Sequence, residues 1–295
     1  MLEFPTLGGM CSLLICLNDI HIESTTACNS HCIMCPHSDM TRHGSMNFEL
    51  FKKIVDDAIE LGTQRITPFR VGEPFLFKDL YTWLDYLKGK PVSISLFTNG
   101  SLSTKEGALR LEKYVPQIYI TISFHGYDKK SYEAITGMNF ENSRKHVIEF
   151  MEYKQTLPVT IYCLLQPQDT DKVQLVQELW KDYKFHGVGT ANFMEWAGKR
   201  KIGKTKLDFM KERPHAYRRV PCDYVLHHID VMYDGRVCLC CVDSEGEIIF
   251  GDLNKQTITE VVNSKLYQYW LSEHLKNGGI NLPLCSECSI NIEEI

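Results

Sequence analysis

Cys28-Asn-Ser-His-Cys32-Ile-Met-Cys35-Pro36 places three cysteines on a short stretch that follows an apolar, β-like run at 19–25. Thiolates spaced this closely can wrap one small inorganic centre, and soft sulfur ligands favour zinc, copper(I) or iron–sulfur. Structural zinc takes four ligands in a closed tetrahedral site, commonly as two pairs. Three cysteines without a local fourth instead leave one metal of a cubane cluster open to a ligand that is not protein. Three idle cysteines in one such run, out of twelve in the chain, would be a rare accident.

The surroundings narrow the setting. The 295 residues suffice for one large domain, or one with a smaller companion. A hydrophobic content of 44% and a charged content of 23% are those of a soluble globular protein. A formal net charge of −5 gives no case for nucleic-acid binding. The start, Met1-Leu-Glu-Phe-Pro, has no positive charge before its apolar run at 7–17, and that run is too short to span a bilayer. No membrane partner is expected. The reading is a cytoplasmic, reducing location, where clustered cysteines mean metal rather than disulfides. Residues 1–18 read as an N-terminal extension.

From 19 to 197 β-rich runs alternate with amphipathic helical runs. Strands are expected at 20–25, 65–71, 92–97, 117–124, 159–165 and 187–194, and helices at 48–61, 80–87, 104–114, 143–154 and 171–183. Repeated βα units argue an α/β fold with a parallel sheet and outer helices, curled or closed as a barrel. Functional residues then belong at the carboxyl ends of the strands. The cysteine loop lies there, as do Gly72-Glu73-Pro74, Thr98-Asn99-Gly100 and Ser123-Phe-His125-Gly126. Asn192-Phe-Met-Glu-Trp196 could line an opening, although aromatic packing is the simpler role. A basic run at 198–221 reads as a solvated linker, with an anion-docking strip as the sharper alternative. From 222 a small α+β module is expected. Asp234-Gly235 marks a hairpin, and a helix covers 259–276. Cys222, Cys240, Cys285 and Cys288 form a set that zinc or an iron–sulfur cluster would accept. Strand alternation would put Cys238 on the face of Cys240 and turn Cys241 away. Cys11, Cys16 and Cys163 read as small core hydrophobes.

The first motif resembles the signature of the radical S-adenosylmethionine (SAM) enzymes, and the resemblance spans about 20–288. It implies a partial (β/α)6 TIM-like barrel open on one side. It also implies a [4Fe–4S] cluster on Cys28, Cys32 and Cys35, whose open iron SAM chelates. Reduction of that cluster cleaves SAM to a 5′-deoxyadenosyl radical. In the same way Gly72, Glu73 and Pro74 match the motif that binds the SAM amino group. Asn99, Ser123 and His125 become SAM contacts, and Met34 sits where the family packs a hydrophobic residue on the adenine. A flavodoxin- or ferredoxin-type reductant is implied. The C-terminal set resembles the shortened SPASM module called Twitch, which carries a second, auxiliary [4Fe–4S] cluster. Only a short tail follows Cys288, so the cysteines for a further cluster are missing. The expected activity is hydrogen abstraction from a small-molecule or peptide substrate. A dehydrogenase acting on a sugar or aminocyclitol comes first, a peptide-modifying maturase second, and a non-catalytic zinc or iron–sulfur protein third.

Overall fold

The computed structural model describes residues 17–193, 195–200, 217–218, 221–289 and 292–293. The apolar start at 7–16 and most of the basic run lie outside these residues, as do Cys11, Cys16 and Met194. Six strands run parallel in chain order: β1 (Asp19–Ile22), β2 (Arg65–Thr67), β3 (Ser93–Thr98), β4 (Ile118–Ser123), β5 (Val159–Leu165) and β6 (Gly187–Asn192). Their register follows the two-residue period. In β3 and β5 every second residue is buried, and in β4 Ile118, Ile120 and Ile122 point the same way. This face packs on the helices. Phe51 of α1 (Phe48–Glu60) stacks on Trp83 of α2 (Leu80–Leu87), ring centroids 3.7 Å apart, and both rings are fully buried. Burying a ring of that size contributes about 1.5–3 kcal/mol. The opposite face, with Thr67, Phe97, Ser123, Tyr162 and Leu164, lines a cavity. A sheet with one oily and one mixed face curls around its contents, and this one stays open: a partial TIM-like barrel.

Three differences from the expected elements have physical causes. Lys129–Thr136 is a helix that the sequence pattern did not announce; a reciprocal cap between Asp128 and Ser131 starts it and left-handed Gly137 ends it. The expected 259–276 helix is two helices, Ile258–Val262 and Lys265–Asn277, because Ser264 accepts the amide of Tyr267 and restarts the helix. The C-terminal hairpin, β8 (His228–Val231) and β9 (Arg236–Cys238), does not stand apart. After the short β7 (Tyr217–Arg218), β8 joins β1 in parallel, and β10 (Ile249–Asp252) adds to β9, so one nine-stranded sheet runs through both parts.

Candidate functional site

The cysteine loop is held by backbone bonds on both sides. His31 and Ile33 donate to the carbonyls of Thr136 and Ile135, and Glu73 donates to Ala27 at 2.7 Å. Gly72 makes that last contact possible. Its φ is +94°, and a Cβ there would stand 2.3 Å from the Thr25 carbonyl oxygen, so no other residue fits without moving the loop. Glu73 is buried and accepts from Thr98 Oγ1, the Asn99 amide and the Phe75 amide. Burial still pushes its carboxyl above the ordinary range.

One cavity of about 420 Å³ collects Cys28, Cys32, Met34, Cys35, Gly72, Glu73, Asn99, Ser123 and His125. Of the residues expected at a SAM site only Pro74 stays outside, buried as the first residue of the turn Pro74–Leu76. Asn99 is engaged within the protein: it donates to Asn29 Oδ1 at 2.8 Å and accepts from Ser101 Oγ at 2.6 Å. Burial pushes the Cys28 thiol up to about 11 and that of Cys35 up to about 12. Three thiolates here therefore need a cationic centre to compensate them. Among the described residues only Asp19, His21 and His228 bring three such donors within 4.8 Å of one another. The loop sulfurs stand wider. Thiolates on one zinc at 2.3 Å would sit about 3.8 Å apart, and the three loop sulfurs do not all stand that close together. In the Asp19 trio, Asp230 and Asp19 outweigh burial and raise the His21 imidazolium to about 10, so a metal there would have to displace a proton.

His125 is buried on the cavity wall, and its Nδ1 accepts the Leu164 amide at 3.1 Å. That bond requires the neutral ring, and burial lowers its pKa to about 4. Protonation is thus easier in the unfolded chain, so stability present above about pH 6.5 is lost as pH falls through 4. We expect a loss on the order of 3 kcal/mol. Urea unfolding of wild type and His125→Gln between pH 7 and 4.5 checks this: the variant should show the shallower decline.

The cavity also reaches His21, Arg70, Tyr224 and Cys241, which the sequence reading missed, and Trp196, from the stretch that could line an opening. Tyr224 and Cys241 belong to the C-terminal part. Alternation cannot be carried on there because β9 stops at Cys238, the chain bends at Leu239, and Cys240 and Cys241 lie in the loop and turn that follow. Cys238 is buried, and its thiol reaches the Asp230 carbonyl at 3.5 Å. Cys241 faces the cavity. Burial drives Cys240 and Cys241 well above the ordinary thiol range, with Cys288 close enough to add to both. Cys222 and Cys285 are buried, and Cys285 Sγ lies 3.4 Å from His274 Nε2. Cys163 is a buried core residue.

Residues 22–179 match the radical SAM superfamily and residues 222–289 an iron–sulfur cluster-binding domain. The chain belongs to the radical SAM superfamily. The probable GTP 3′,8-cyclase of Pyrococcus horikoshii is 31% identical over 129 residues, 42% of this chain and 39% of that protein. The chain spans less than half the length of the curated relatives it matches. Two solved structures share the fold. BtrN, in complex with AdoMet and 2-DOIA, superposes with a TM-score of 0.63 at 16% identity, over 92% of this chain and 93% of that one. Streptococcus suis SuiB, bound to precursor peptide SuiA, gives 0.71 at 15% identity, over 88% and 67%. Radical SAM membership brings SAM and a [4Fe–4S] cluster, and the second match brings an auxiliary cluster. The three half-buried thiols of the cysteine loop line one cavity, and that gathering fits the former. No described helix is long and apolar enough to cross a membrane.

Proposed function

We propose that this radical SAM protein oxidises a small sugar- or aminocyclitol-type molecule. Cys28, Cys32 and Cys35 hold the SAM cluster, and Cys222, Cys240, Cys285 and Cys288 hold the auxiliary one. The carrying observation is the single cavity that has the cysteine loop on one wall and Tyr224 and Cys241 on another. When bound there and given one electron, SAM supplies a 5′-deoxyadenosyl radical. Gly72, Glu73 and Ser123 orient the cofactor, Met34 packs on its adenine, and neutral His125 adds no charge against its sulfonium. The substrate loses one hydrogen atom from a C–H bond. With the auxiliary cluster held by Cys222, Cys240, Cys285 and Cys288, that site would accept the one electron, and the protein the one hydroxyl proton, by which the carbon radical becomes a carbonyl. A flavodoxin- or ferredoxin-type protein supplies the electron that starts each turnover.

Peptide modification is the second reading, favoured by the likeness to SuiB with its precursor peptide. The first reading is favoured by the likeness to BtrN in complex with AdoMet and 2-DOIA, over 92% of this chain and 93% of that one. Anaerobically reconstituted protein should hold about eight irons and release 5′-deoxyadenosine with dithionite and SAM. A polyol substrate should then give a product two hydrogens lighter. No iron and no deoxyadenosine would overturn the proposal, and modification of peptides alone would transfer it to the second reading.

A further inference from the structure

Two arginines reach from the SAM side of the barrel into the turn that carries Cys240 and Cys241. Arg42, seven residues beyond the last loop cysteine, grips Glu23 with both terminal nitrogens and donates Nε to the Ser244 carbonyl at 2.6 Å. Arg70 stands two residues before Gly72. Its Nη2 donates to the Cys240 carbonyl at 3.0 Å and also to the Asp243 carbonyl. Its side chain is fully enclosed. The remaining nitrogens find only long ionic contacts, Nε at 3.4 Å from Asp230 Oδ1 and Nη1 at 3.7 Å from Glu23 Oε1, and neither makes a hydrogen bond.

Neither acid belongs to Arg70 alone. Glu23 is already clamped by Arg42, and Asp230 is shared with the His21 imidazole at 3.4 Å. Asp243, the other acid of the turn, is satisfied by the amides of Glu247 and Ile248. Arg70 is therefore a buried cation with no carboxylate hydrogen-bonded to it, placed on the backbone of a cysteine of the proposed auxiliary site. Burial works against its charge, and the facing Cys238, Asp230, Glu23 and Cys241 outweigh burial. A four-thiolate cluster is anionic and gains one more negative charge on reduction. In a dry interior a fixed cation beside it favours the reduced form.

We infer that Arg70 is a positioning residue that locks the Cys240–Asp243 turn to the SAM-site strand and raises the reduction potential of the auxiliary cluster. It thereby makes that cluster an acceptor for the substrate electron. This rests on the auxiliary-cluster assignment proposed above.

The test is potentiometric titration of reconstituted protein, followed by electron paramagnetic resonance of both clusters. Arg70→Gln should move the auxiliary midpoint to a lower potential and leave the SAM-cluster midpoint in place. Arg70→Lys, which keeps the charge and loses the fork, should retain most of the wild-type value. Arg42→Gln removes a comparable carbonyl contact from a paired arginine and should leave the auxiliary midpoint unchanged. An auxiliary midpoint that stays put in Arg70→Gln, with about eight irons retained, would overturn the inference. So would equal shifts in Arg42→Gln and Arg70→Gln. If Arg70→Gln loses the cluster, Arg70→Lys decides: a midpoint as low as that of a charge-neutral Arg70→Met variant overturns the role of charge. Wild type with only about four irons would instead sink the underlying auxiliary-cluster reading.

Discussion

Cys32→Ala should lose about four of eight irons and release no 5′-deoxyadenosine above background, a fall of at least about a thousandfold. Three thiolates are the smallest set that holds a cubane and leaves one iron for SAM, so two cannot do the work of three. Cys32 is the middle ligand of the loop. Ser30 Oγ lies 2.9 Å from its sulfur and donates onward to the Thr136 carbonyl, fixing the thiol against the end of the Lys129–Thr136 helix. Those backbone anchors persist in the alanine variant, as do the His31 and Ile33 bonds to the same helix end. The fold should therefore survive, with circular dichroism and thermal midpoint close to those of cluster-free wild type. Iron analysis and deoxyadenosine quantification check the expectation together. Normal deoxyadenosine release from a variant with four irons would mean that the remaining cluster cleaves SAM, and the two sites would have to be exchanged.

The parts legible in sequence share one property: each is local. The cysteine spacing, the strand-end triplets and the alternation in β3, β4 and β5 all lie within a few residues of one another, and periodicity reports them directly. Lys129–Thr136 escaped because its apolar residues are few and its defining features are a cap and a stop. What stayed hidden is long-range. Asp19-Ile-His21 and His228-Ile-Asp230 read as unrelated strands, yet they pair in register, Asp19 beside His228 and His21 beside Asp230. That pairing joins the C-terminal part to the barrel sheet and builds the charge cluster beneath the cavity. Arg70 could not be singled out for the same reason: its partners Glu23, Asp230 and the Cys240 carbonyl are scattered along the chain. Strand alternation could not be carried on to Cys240 and Cys241, because the strand ends at Cys238.

Cys285→Ala separates the two halves of the proposed chemistry. Cys285 is buried at the start of the turn Cys285–Glu287, and the Cys288 amide donates to the Cys285 carbonyl at 3.2 Å, so both thiols come from one compact hook. Removing one sulfur from a closed four-thiolate site leaves an iron without its protein ligand, and the cluster becomes labile to oxygen and chelators. The iron count should fall from about eight to about four. The cysteine loop is anchored to the barrel through His31, Ile33 and Glu73, so deoxyadenosine should still form within a few-fold of wild type in the presence of substrate. Product should fall by at least about a hundredfold, because the substrate radical has nowhere to leave its electron. That uncoupling is the diagnostic feature: a variant merely damaged in folding would lose both yields in proportion. Quantifying deoxyadenosine and oxidised product in the same reaction, and repeating it with Cys288→Ala, checks the prediction. Undiminished product from either variant would remove the auxiliary site from the electron path. A matched loss of both yields in both variants would make the hook a structural clasp, with oxidation relying on an acceptor elsewhere.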